Sequence, residues 1–319
     1  MNRPANSIDP SDTTISLGSL FDISSKLNTP TPEPTPSTSL GAEPGEESWV
    51  SSFRAGLASQ VQGLSGNNKA AYDDLEFYSR YVMGDGNIEY SHNSKFLRNI
   101  YWDLQHTNED MLILGPRGSA KSTAATITYT TWSIGRNPAI RALLAFASME
   151  AQGLAFARQL DHIITKNERF ISVFGELKPA KPEKWDETEK IVRRPTPPSG
   201  LKDPTISVVG LGSAVPSKRA DVVICDDLVT MENAYSDIQR AKVIRFVFQT
   251  LFPILVPGGR RIIIGSRWDE RDLYSYTAEK WGKVFPEPIS IDLGDIINHA
   301  VSNDLVKYDD AKFVERAIE

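Results

Sequence analysis

The feature that most constrains this chain is a short apolar run that leads straight into a glycine-rich turn. Met111-Leu112-Ile113-Leu114 is followed by Gly115-Pro116-Arg117-Gly118-Ser119-Ala120-Lys121-Ser122-Thr123, and residues 122–134 then carry apolar side chains at helical spacing. An unbroken apolar run of this length suits a strand buried on both faces. Strand, glycine turn and helix in that order form the phosphate-binding P-loop pattern. Glycine lets the backbone turn tightly and aim its N–H groups inward, and the helix N-terminus adds the positive end of its dipole. The spacing assigns Lys121 to the β and γ phosphates of a nucleotide and the Ser122 hydroxyl to Mg²⁺. The candidate nucleotide-binding residues are Gly115, Pro116, Arg117, Gly118, Ser119, Ala120, Lys121, Ser122 and Thr123. Ala120 stands where the motif has its second glycine, which the loop tolerates if that residue has a negative φ. Arg117 is a candidate for stabilising charge on a transferred phosphoryl group, against the plainer reading of a surface arginine.

The pattern of the first strand recurs. Ala142-Leu143-Leu144-Ala145-Phe146, Ile206-Ser207-Val208-Val209, Val222-Val223-Ile224-Cys225 and Arg261-Ile262-Ile263-Ile264 are further short apolar runs, and residues 149–166 carry a helical pattern. Alternation of this kind predicts an α/β fold with a mostly parallel sheet flanked by helices, its core at residues 110–285. Residues 49–109 read as a helical N-terminal part, with apolar residues at helical spacing over 73–83 and 94–105. Residues 1–48 are rich in Ser, Thr, Pro and Gly and read as a disordered tail, because they cannot bury enough apolar surface to offset ordering. Residues 286–319 form a C-terminal extension or the start of a further domain. Within it, Pro288-Ile289-Ser290-Ile291-Asp292-Leu293-Gly294-Asp295 resembles a strand ending in an acid, and residues 311–319 are helical in pattern.

Charge and cysteine content narrow the function classes. The net charge of −6 argues against a broad basic face for gripping DNA, though Arg193–Arg194, Lys218–Arg219 and Arg260–Arg261 could supply local patches. The single cysteine, Cys225, excludes an intrachain disulfide and fits a reducing compartment. No zinc-ligand spacing is present, and no apolar stretch approaches the length of a membrane span, so no membrane partner is expected.

A P-loop enzyme needs a second acid at the end of a neighbouring buried strand. Asp221-Val222-Val223-Ile224-Cys225-Asp226-Asp227 supplies it. Asp226 is the metal-side residue and Asp227 is placed to orient or deprotonate an attacking water, so Asp227, Arg117 and Lys121 are the candidate catalytic residues.

Three pieces now stand in order: the P-loop, Lys218-Arg219-Ala220-Asp221-Val222-Val223-Ile224-Cys225-Asp226-Asp227, and Gly265-Ser266-Arg267-Trp268-Asp269-Glu270-Arg271-Asp272-Leu273-Tyr274. Together they resemble the terminase large subunits of tailed phages. That family has an arginine-bearing P-loop, an Arg-x-Asp lead into the acids, and a Gly-[Ser/Thr]-Arg-Trp segment on a later strand. The resemblance implies a RecA/ASCE-like P-loop NTPase that hydrolyses ATP with Mg²⁺. It implies double-stranded DNA, the portal protein of a procapsid and a small terminase subunit as partners, a ring of copies on the portal, and a place in the host cytoplasm. It assigns the coupling of hydrolysis to movement to Ser266 and Arg267, while Trp268 reads as packing.

Terminase large subunits usually carry a nuclease domain as well. Too few residues follow Phe285 to hold one, so a truncated chain, a fragment or a split gene is expected and no nuclease residues are assigned. The competing readings are another P-loop nucleic-acid motor such as a helicase, a nucleotide-binding switch, and an inactive scaffold. Tyr101 and Gln105 are candidates for an adenine pocket, against a role in packing the N-terminal helices.

Overall fold

Apolar runs buried on both faces imply a sheet covered on both sides, and that is the architecture found. A computed structural model describes residues 55–56, 58–59, 61–84, 94–194, 203–215 and 218–282. The tail expected at 1–48, the strand expected at 288–295 and the helical pattern at 311–319 lie outside the described residues.

The strands are β1 (Met111–Leu114), β2 (Ala142–Phe146), β3 (Glu189–Lys190), β4 (Ile206–Gly210), β5 (Ala220–Asp226) and β6 (Leu255–Gly265). They form one sheet in the order β1-β6-β5-β2-β4-β3, parallel except for the β3–β4 pair. Successive residues of a strand point to opposite faces. Met111, Ile113, Ile262 and Ile264 therefore enter one core cluster, while Leu112, Ile263, Val223 and Cys225 enter the other.

The first cluster is closed by helices α1 (Gly66–Asp73), α2 (Leu75–Tyr78) and α3 (Lys95–His106), with Leu75, Tyr78, Leu97 and Ile100 fully or nearly buried. Joining them on this face are α4 (Tyr129–Arg136), α5 (Leu154–Lys166) and α6 (Glu168–Phe174), whose buried residues include Ile134, Leu160 and Phe170. The second face is closed by α7 (Met231–Ala234), α8 (Asp237–Arg245) and α9 (Leu273–Trp281). No helix of the described residues is long and apolar enough to cross a membrane.

Strand order positions the candidate site. β6 lies between β1 and β5, with Leu114 level with Gly265 and Asp226 level with Ile264. Parallel strands share a direction, so the loops leaving β1, β5 and β6 all emerge at one edge.

Of the basic pairs, Arg193 and Arg219 are exposed, while Arg194, Lys218, Arg260 and Arg261 are held by neighbours. Arg260 is buried, and its guanidinium donates to the Leu104 carbonyl (2.7 Å), the Glu109 carbonyl (2.9 Å) and Thr107 Oγ1 (3.0 Å). It thereby satisfies carbonyls left open where α3 ends. Arg261 pairs with Asp110, Lys218 with Glu189, and Arg194 donates to the Asp203 carbonyl.

Candidate active site

The loop after β1 turns as a phosphate cradle must. Gly115 extends the pairing of β1 by donating to the Gly265 carbonyl (3.3 Å), and Ser119 folds the turn by donating from N and Oγ to the Pro116 carbonyl. Gly115 leaves room for the ring of Phe96 on α3, since a Cβ there would meet Phe96 Cζ at 2.6 Å and displace it. Gly118 has φ +79°. Ala120 does not have the negative φ its side chain prefers. It sits in the left-handed region at φ 59°, a conformation that costs an alanine about 1 kcal/mol.

Lys121 is buried and points back under the loop. Its Nζ donates to Ser266 Oγ (3.1 Å) and to the Pro116 carbonyl (3.3 Å), and Ser266 Oγ donates to the Gly115 carbonyl (2.8 Å). The residue that follows β6 is thus bonded to both ends of the cradle. Arg267, one residue on, is exposed and has no hydrogen-bond or ion-pair partner among the described residues.

The helix that follows the loop opens with a π-helical segment, Thr123–Thr128, before α4. This widened turn presents Thr126 Oγ1 to Asp226, while Ser122 Oγ donates to the other carboxylate oxygen at 2.8 Å. Asp226 is buried at the end of β5, and its carboxyl is pushed up to about 6. Burial is the main cause and the neighbouring Asp227 charge adds to it, while Thr126, Ser122 and Lys121 oppose the rise.

Asp227 leaves the strand with φ 46°, its N–H donating to the Ile264 carbonyl (3.0 Å). The two non-glycine residues with positive φ among the described residues are therefore Ala120 and Asp227, and both line the site. Strain of this kind persists where surrounding structure enforces it, and it gathers at functional sites.

Between these groups lies a cavity of about 450 Å³. On the cradle side it is lined by Arg117, Gly118, Ala120, Lys121 and Ser122. The far side is formed by Asp227, Val229, Thr230, Gln152 and Trp268. Gln152 and Thr230 were not foreseen in the sequence. Gln152 lies on the π-helical turn after β2, Met149–Gly153, and Thr230 caps α7, so neither belongs to a strand-ending acid or a glycine loop.

Pro116, Ser119 and Thr123 shape the loop without lining the cavity. Tyr101 is buried, and Gln105 accepts from Leu75 N (2.7 Å) and donates to the Asp73 carbonyl (2.9 Å), which ties α3 to α1 and α2.

Fold and site define an α/β protein of the P-loop kind, with its second acid strand one strand away from the loop-bearing strand. The chain is similar in sequence to phage terminase large subunits. The terminase large subunit of Enterobacteria phage T3 is 28% identical over 196 residues, covering 58% of this chain and 32% of that protein. The crystal structure of the HK97 bacteriophage large terminase aligns with a TM-score of 0.41 at 15% identity, over 70% of this chain and 47% of that one. The chain thus spans about a third of the curated relative's length and about half of the solved one's. No family model matches it.

Proposed function

We propose that the chain is the ATPase motor part of a phage terminase large subunit, which turns over ATP to drive double-stranded DNA into a procapsid. The observation that carries this reading is the convergence of Lys121, Ser122, Asp226, Asp227 and Ser266 from separate elements at one edge of the sheet. The sequence likeness to the T3 protein supports it.

Each group has a role in phosphoryl transfer. The loop amides and the Lys121 ammonium hold the phosphates. Ser122 Oγ and the Asp226 carboxylate are hard oxygen donors 2.8 Å apart, the chemistry that suits Mg²⁺. Bound there with the nucleotide, Mg²⁺ would neutralise phosphate charge. Asp227, in the cavity wall, orients the attacking water and accepts its proton. Arg117 offers a guanidinium to charge developing on the phosphoryl group. Ser266 touches the lysine that holds the phosphate, so a shift at Lys121 is passed to β6.

On this reading the partners are double-stranded DNA, the portal protein of the procapsid, a small terminase subunit and further copies in a ring, all met in the host cytoplasm. The test is ATP turnover by the purified chain with and without linear duplex DNA and procapsids. Turnover raised by both is the expected result. Stimulation by single strands and indifference to procapsids would replace this reading with that of a helicase.

A further inference from the structure

Arg117, like Lys121 and Ser122, meets a side chain from outside the loop, but its partner is an aromatic ring. Its guanidinium carbon lies 4.5 Å from the centre of the Trp268 ring, and no hydrogen bond or ion pair holds it among the described residues. Both residues line the same cavity, Arg117 from the exposed tip of the cradle and Trp268 from the corner after β6.

That corner is tied to α9 by one side chain. Asp272 is fully buried and caps α9, accepting from Tyr274 N (2.9 Å) and Ser275 N (3.0 Å). Its other oxygen accepts from Trp268 N (3.2 Å). The indole is half-buried against the second core cluster and lies beside the exposed Arg117.

A guanidinium over an indole face is held by the ring quadrupole, an attraction that is weak at exposed sites. A phosphate oxyanion in the cavity is a stronger partner for the same guanidinium. We propose that Trp268 is the positioning residue for Arg117, docking its guanidinium at the cavity mouth and linking nucleotide occupancy to the Ser266–Asp272 corner. This rests on the reading of the cavity as an ATP site, and it gives Trp268 a role beyond filling space.

Trp268→Phe, Trp268→Leu, Arg117→Ala and the double variant Arg117→Ala/Trp268→Leu test it, in the full chain with ATP, Mg²⁺, duplex DNA and procapsids. Trp268→Leu keeps apolar bulk and loses the π face, and Trp268→Phe keeps both. Turnover in Trp268→Leu should fall about fivefold with KM for ATP little changed, Trp268→Phe should recover most of it, and the leucine change should cost less than about twofold in the Arg117→Ala background. ATP with Mg²⁺ should alter tryptophan emission in the wild type but not in Trp268→Phe or Arg117→Ala. Equal losses in the phenylalanine and leucine variants, simple addition of the two single losses, or an emission change that survives Arg117→Ala would each overturn the proposal while wild-type turnover leaves the ATP reading standing. A wild-type chain that neither binds nor hydrolyses ATP overturns both.

Discussion

Ser122 donates its hydroxyl to Asp226 across 2.8 Å, joining the first helical turn after the cradle to the end of β5. The contact makes the two candidate metal-side residues neighbours before any cation arrives. It also leaves a buried carboxyl whose ionisation the fold opposes, since burial pushes Asp226 up to about 6.

The stability consequence follows from the sign of that shift. A folded-state pKa above the unfolded value means that Asp226 contributes most at low pH, and that this contribution is lost as pH rises from about 4 to about 6. Asp226→Asn removes the titration while keeping an oxygen that accepts from one of Ser122 and Thr126, the other hydroxyl turning to accept from the amide. In EDTA the variant should gain stability relative to the wild type across that window, by up to about 3 kcal/mol, and the difference should be level above it. Thermal denaturation of both proteins from pH 4 to 8 measures this. A difference that does not change with pH would refute it.

Lys121→Ala removes the ammonium that lies beneath the cradle and bonds Ser266. It deletes no ion pair among the described residues and leaves the apolar clusters untouched. Turnover of ATP should drop by about a hundredfold or more, since a phosphate-side charge is lost, while the melting temperature moves by only a few degrees. Near-normal turnover in a folded Lys121→Ala protein would mean that the cavity is not where ATP reacts.

Asp227 sits in the left-handed region at φ 46°, and asparagine is among the few side chains that adopt that region readily. Asp227→Asn therefore changes the chemistry without adding backbone strain. ATP binding measured by calorimetry should persist, while turnover falls by about 10²–10³-fold, the range for loss of a general base. If binding is lost and turnover per bound ATP is kept, the roles of Asp226 and Asp227 are exchanged.

Much of this arrangement could be read from the residues. β1 and β2 fall where the apolar runs place them, because a strand buried on both faces leaves no polar position to blur its ends. The P-loop, both acids and Ser266 are legible for the same reason, since each lies at the tip of such a run. Other features depend on contacts distant in sequence. α8 buries only Arg240 and Val243, so it shows no apolar stripe. β3 is two residues long and exists through its pairing with β4. Arg260 looks like surface charge until the end of α3 brings its carbonyls alongside. The φ of Ala120 follows from the loop closing on Lys121 and Gly115, not from alanine itself.

That conformation makes a prediction of its own. Ala120→Gly restores the residue type that the left-handed region favours, and glycine meets no steric penalty at φ 59°. Relief of the strain offsets the added freedom of the unfolded chain, so the variant should be as stable as the wild type or more stable by up to about 0.5 kcal/mol in denaturant titrations. A destabilised glycine variant would show that the loop does not hold this φ in solution.

Arg260 separates the stability of the fold from the chemistry of the site. Arg260→Met keeps most of the apolar stem and deletes the donors to Leu104, Asp103 and Glu109 carbonyls. The buried Leu104 carbonyl loses its side-chain donor, while the Asp103 carbonyl keeps Thr107 and Glu109 is exposed, so the change should cost about 1–3 kcal/mol. The arginine contacts none of the residues that line the P-loop cavity, so turnover per folded molecule should hold at temperatures where the variant stays folded. Denaturant titration paired with an ATPase assay distinguishes the outcomes. A variant with unchanged stability and weakened DNA stimulation would return Arg260 to the role of a DNA-facing charge.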